Sequence, residues 1–185
     1  MKKFCSVLGF ILVVFIHSPT ANPESDPLAQ FQREADLQGY KVLVVSCLTV
    51  RPLSSEQFEY FEWTINDVGL TVPSGNPGNL SLFAQVNLPD GAEIKRMVAL
   101  YYDNSAMANI EIAMGRSAPL SLSEPDEMFY FSSEYLPNNT DLRIYSTNTI
   151  QYPVIDNRNV YMVMVDFDAE TDEDVAFRAL YIAYE

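Results

Sequence analysis

Asp166, Asp168, Glu170, Asp172 and Asp174 fall on alternate positions near the C-terminus. Hard oxygen ligands at such spacing suit a calcium ion. The run is not an EF-hand loop. Counted from Asp166, its sixth and twelfth positions hold Thr171 and Phe177, where that loop needs glycine and glutamate. Calcium is the one cofactor the composition leaves open, and otherwise none is expected. The plainer role of these charges is a solvated hairpin loop that keeps one end of a sheet soluble. Histidine chemistry is closed to the mature chain, because the single histidine, His17, lies in an N-terminal segment expected to be removed. Ser-His-Asp and Cys-His catalysis and histidine zinc sites are thereby excluded. No glycine-rich phosphate loop is present. A hydrolase working with two carboxylates alone, of the glycosidase type, stays open on composition.

The second group that could do chemistry is aromatic. Phe58, Tyr60, Phe61 and Trp63 form the densest cluster, and Tyr101 and Tyr102 are adjacent. Tyr60, Trp63, Tyr101 and Tyr102 are the candidate ligand-binding residues, as platforms on which sugar rings would stack. Buried aromatics serve the core just as well. Consecutive residues of a strand point to opposite faces, so Tyr101 and Tyr102 cannot share one platform. Cys47, in an apolar β-branched run, is expected to be a buried strand thiol. Met162 and Met164 read as core fillers rather than copper ligands.

The elements that must position these groups are strands. Leu80, Leu82, Ala84, Val86 and Leu88 alternate with Ser81, Phe83, Gln85 and Asn87. Pro89-Asp90-Gly91 is a turn with a mechanism: proline presets φ, aspartate bonds nearby amides and glycine accepts positive φ. From Ile94 to Tyr102 the period is two again, with Ile94, Arg96, Val98, Leu100 and Tyr102 on one face. Asp103-Asn104-Ser105 is the next turn, before Ile110, Ile112 and Met114. These two runs are expected to form a hairpin. Further strands are expected at 40–50, 128–131, 142–145, 160–167 and 176–184. About eight to ten short strands with turns at the usual spacing predict an all-β chain, an antiparallel, jelly-roll-like β-sandwich. Leu28, Phe31, Ala35 and Leu37 suit a short helix in an otherwise polar lead-in, 22–39.

The N-terminus supplies an address. Lys2-Lys3 precedes an apolar run from Phe4 to Ile16 and a small-residue exit ending at Ala21. That is the pattern of a bacterial secretory signal over 1–21, and the run is short for a membrane span. A single β-sandwich domain over 40–185 follows the lead-in. Removal of Lys2 and Lys3 leaves nine basic residues against 25 acidic ones, a formal charge of −16. Such a chain does not bind nucleic acid by releasing counterions, nor does it settle on an anionic membrane. Cys5 leaves with the signal, so no intrachain disulfide is available. The destination is outside the cytoplasm: secreted, periplasmic or at a bacterial cell surface.

Leu88-Pro89-Asp90-Gly91-Ala92, Tyr101-Tyr102-Asp103-Asn104-Ser105 with Asn109-Ile110, Val154-Ile155-Asp156-Asn157 with Tyr161, and Leu180-Tyr181-Ile182-Ala183-Tyr184 carry a resemblance. They resemble the turns and closing strand of uncharacterised secreted bacterial β-sandwich proteins, over 50–185. The resemblance implies a compact all-β domain and brings no catalytic residue. The expectation is a non-catalytic binding or structural module, whose partner is a carbohydrate or another envelope protein. The alternatives are the carboxylate-dependent hydrolase and a subunit of an extracellular assembly.

Overall fold

The computed structural model describes residues 27–52, 64–65, 69–71, 80–105, 108–119, 121, 124–134, 136–137, 139–168 and 174–185. The expected signal segment, 1–21, lies outside them. In chain order the elements are α1 (Pro27–Gln38), β1 (Lys41–Ser46), β2 (Arg51–Pro52), β3 (Thr64–Ile65), β4 (Leu70–Thr71), β5 (Leu80–Val86), β6 (Ile94–Asp103), β7 (Ile110–Ser117), β8 (Asp126–Ser132), β9 (Asn139–Thr147), β10 (Val160–Phe167) and β11 (Val175–Tyr184).

The strands form two antiparallel sheets, a β-sandwich. Sheet A runs β3-β4-β11-β6-β9, with β1 also on β11; sheet B runs β2-β5-β10-β7-β8. Alternation along each strand sends one row inward. Met97, Ala99 and Tyr101 of β6 and Phe177, Leu180 and Ile182 of β11 meet Leu82 of β5, Ile110, Ile112 and Met114 of β7, and Val163 and Val165 of β10. Cys47 is buried in the same core, and burial pushes its thiol up.

The face reading of β6 needs one correction. Ile94 joins Met97 and Tyr101 in the core instead of sharing the face of Val98. A bulge shifts the pairing between Ala183 and Tyr184, so Lys95 is the extra residue that inverts the alternation. Lys95 then projects between Glu93 and Glu185, at 2.9 and 2.6 Å.

The expected hairpin between β6 and β7 is also corrected. β6 pairs with β9 and β11, whereas β7 pairs with β8 and β10. The connection therefore arches from sheet A to sheet B. The same holds for the links β5–β6, β9–β10 and β10–β11, so the acidic run joins two sheets and is not a hairpin loop. The turn motifs fasten these arches. Asp103 is 4% exposed and accepts the Ser105 amide at 3.1 Å. Ser105 Oγ accepts the Ala108 amide, and Ser133 Oγ accepts that of Ile110. At the opposite end, Asp90 accepts the Asn157 amide at 2.9 Å. Gly91, at φ 77°, donates to the Ile155 carbonyl, and Ile155 donates back to Ala92.

Part of the outer face of sheet A, over β6 and β11, is covered by a helix. Helix α1 begins at Pro27, preorganised for a first turn, and stops before Gly39 at φ 74°. Phe31 is 2% exposed and packs with Val98, Leu100, Ala179, Tyr181 and Ala183. Arg96 lies over the Phe31 ring and pairs with Glu34. Among the described residues no helix is long and apolar enough to cross a membrane.

Candidate functional site

Sheet B has no helix on its outer face among the described residues. The period-two rule places Ser81, Phe83 and Gln85 of β5 there, with Met162, Met164 and Asp166 of β10. Glu111, Ala113 and Gly115 of β7 and Tyr130 and Ser132 of β8 complete the face. Strand register arranges them in rows across the sheet. The central row is Arg51, Phe83, Met164, Ala113 and Tyr130. It spans about 19 Å over four inter-strand steps. On one side runs a polar row, Ser81, Asp166, Glu111 and Ser132; on the other run Gln85, Met162, Gly115 and Glu127.

An apolar strip edged by hydrogen-bonding groups is what a sugar chain offers in complement: C–H faces and equatorial hydroxyls. Tyr130 is the exposed aromatic of the strip, at 45%, and its hydroxyl donates to Glu111 Oε1 at 2.7 Å. A recess of about 210 Å³ opens beside it, lined by Tyr130, Phe131, Ser132, Leu136 and Tyr145. Asp166 stands directly opposite Glu111. Burial pushes its carboxyl above the usual range, and the Glu111 charge adds to this, against a hydrogen bond from Ser81. Asp166 Oδ1 is buried and meets no donor among the described residues.

The expected site residues are distributed differently. Tyr60 and Trp63 lie outside the described residues. Tyr101 is in the core, 1% exposed, 4.7 Å from the Phe131 ring, so its faces are taken by packing and are not open to a sugar. Its hydroxyl accepts from Arg143, although burial raises its pKa. Tyr102 points the other way, half-buried on the outer side of sheet A.

Of the acidic run, Asp166 belongs to the sheet B face. Asp168 accepts the backbone amide and side-chain amide of Asn109, at 3.0 and 3.2 Å. Asp174 is exposed, and its carbonyl accepts the Asn104 amide at 2.8 Å. Glu170 and Asp172 lie outside the described residues. Among those described, no three acidic, cysteine or histidine side chains converge as a metal site would require.

Met162 and Met164 are half-buried on the outer face, while Val163 and Val165 fill the core between them. The signal that could have found this strip was the outward half of each alternation. Phe83, Met164 and Tyr130 become one row only when the register is known.

No protein-family model and no curated protein matches this chain. In fold it is similar to a solved structure described as the xylan-binding module CBM15. The identity is 14% over 78% of this chain and 97% of that one, with a TM-score of 0.50. It also matches the CBM36-1 domain of a multidomain xylanase from the hindgut metagenome of Trinervitermes trinervoides, at 10% identity over 77% and 96%, TM-score 0.45. A third is TmCBM27, a carbohydrate-binding module that recognises mannan, at 10% identity over 79% and 98%, TM-score 0.44. At such identity the first likeness shows a shared β-sandwich.

Proposed function

We propose that this chain is a secreted, non-catalytic carbohydrate-binding module that holds a polysaccharide on the outer face of sheet B. The observation that carries the reading is the row Phe83, Met164, Ala113 and Tyr130, with a polar row on one side and Gln85 and Glu127 at the ends of the row on the other, on a face that no helix covers among the described residues. Largely apolar sites with a few placed polar groups are the general form of a small-ligand surface. The row is long enough for several sugar rings in line, which favours a chain over a monosaccharide. The likeness of fold to a xylan-binding module supports the same reading. Glu111 and Asp166 stand side by side on one wall, whereas glycosidase carboxyls flank the scissile bond.

The test is electrophoretic retardation in gels containing xylan, mannan or soluble cellulose. The chain should be retarded by at least one, and Tyr130→Ala and Phe83→Ala should each abolish the retardation while melting as folded proteins. Retardation that survives both substitutions, or release of reducing ends from the retained polysaccharide, would overturn the reading.

A further inference from the structure

Among the described residues, two exposed tyrosines stand out, Tyr130 and Tyr152. Tyr152 lies away from the outer face of sheet B, at the end of the sandwich where 87–93 and 148–159 meet. It is also the sole non-glycine residue with positive φ among those described, at 50°. Its place in the sequence makes this conformation more costly, since Pro153 follows and a residue before proline is driven toward extended backbone. A β-carbon at positive φ is unfavourable in itself.

The surroundings hold it there. Gln151 donates its amide to the Met128 carbonyl at 3.0 Å. The Pro153 carbonyl accepts the Ile94 amide at 2.8 Å. Ile155 is buried, donates its amide to the Ala92 carbonyl and accepts the Gly91 amide on its own carbonyl. The ring gains little core packing for this strain, because Tyr152 is 46% exposed. Instead it rests on the Arg116 guanidinium, 3.8 Å from the ring centroid. Arg116 is itself anchored to Asp126 Oδ2 at 3.3 Å. One ring face is thus backed by a fixed cation, and the ring is held outward in a set orientation. Strain kept at an exposed, preorganised side chain is a mark of a working site.

We propose that Tyr152, backed by Arg116, is a second sugar-stacking subsite at the loop end of the sandwich. The inference rests on the carbohydrate-binding reading and assigns it a further contact. The ligand class is a neutral pyranose. The backing guanidinium is already paired with Asp126, and the acidic chain disfavours anions. The Tyr152 face supplies stacking, and the carboxylate of Asp126 accepts a hydroxyl.

The experiment is calorimetric titration with xylohexaose, mannohexaose and cellohexaose of the wild type, Tyr152→Gly, Tyr152→Phe and Tyr130→Ala. Glycine takes φ 50° without strain, so the glycine variant removes the ring while leaving the backbone at ease. Its Kd for the bound hexasaccharide should rise about tenfold or more, and that of Tyr152→Phe should stay within about twofold. A Tyr152→Gly protein that is folded and binds as tightly as wild type, while Tyr130→Ala has lost binding, would overturn the subsite and leave the carbohydrate reading standing. A wild type that binds none of the three sugars overturns both.

Discussion

Asp166 and Glu111 place two carboxylates directly opposite one another on adjacent strands. Like charges in that position destabilise a sheet. Asp166 carries the larger burden, because burial already raises its pKa. Burial raises the pKa of Asp103 as well. A carboxyl with a folded pKa above its unfolded value takes up a proton more readily in the folded state. Its ionised form therefore costs stability at neutral pH, and acidification relieves the cost. Asp156 works in the opposite sense. The Arg158 guanidinium holds it down to about 2, so its contribution is full above the ordinary aspartate range and is lost as pH falls from that range through about 2. The melting temperature should consequently rise as pH falls from about 7 toward about 4, the ordinary aspartate range. Asp166→Asn should melt higher than wild type at pH 7 and show a shallower rise. A variant less stable than wild type at neutral pH would mean that the ionised carboxylate is favourable there. At this scale the sequence was partly legible. Asp90, Asp103 and Asp156 were readable as turn residues. Their partners were not, because Asp90 meets Asn157 across 67 positions of chain.

Strands and helix differ in how far local pattern describes them. Period two marked β5, β6 and β7, since a half-buried strand must alternate. It did not say which strand lies beside which. A polar loop of a few residues can close a hairpin or arch between sheets, and that choice depends on packing across the core. This is why β6 and β7 read as a hairpin and stand in different sheets. β2, β3 and β4 have two residues each and carry no period at all. Lys95 broke the alternation of β6 in a way only its pairing with β11 reveals. Helix α1 shows the reverse case. Leu28, Phe31 and Ala35 form a helical stripe, and the structure buries Phe31 and Ala35 while leaving Leu37 84% exposed. The prediction follows from that asymmetry. Phe31→Ala should cost about 3 kcal/mol or more, as for other buried phenylalanines. Leu37→Ala should stay within about 0.5 kcal/mol. Denaturant midpoints of the two variants check this, and a Leu37 effect as large as that of Phe31 would contradict the docking of α1 on sheet A.

The whole molecule adds a constraint that neither residues nor elements impose. Its formal charge is −14, and the proposed face carries Glu111, Asp166 and Glu127 beside its apolar row. A polyuronate approaching this surface meets repulsion both at long range and at contact. A neutral glycan meets hydrogen-bond acceptors and C–H contacts, neither of which depends on net charge. The two ligand classes should therefore differ in their response to salt. Between about 0.01 and 1 M salt the Debye length shrinks from about 30 to 3 Å. Over that range the affinity for a neutral xylan should change by less than about threefold, because stacking and neutral hydrogen bonds are little screened. Polygalacturonate should not bind at the low-salt end, where repulsion is longest in range. Titrating both polymers into the same protein across that salt series checks this. Tight low-salt binding of polygalacturonate that fades as salt is added would mean that basic residues make the contact. The acidic outer face of sheet B would then be the wrong surface, and the ligand would have to be sought around the chain's few arginines and lysines.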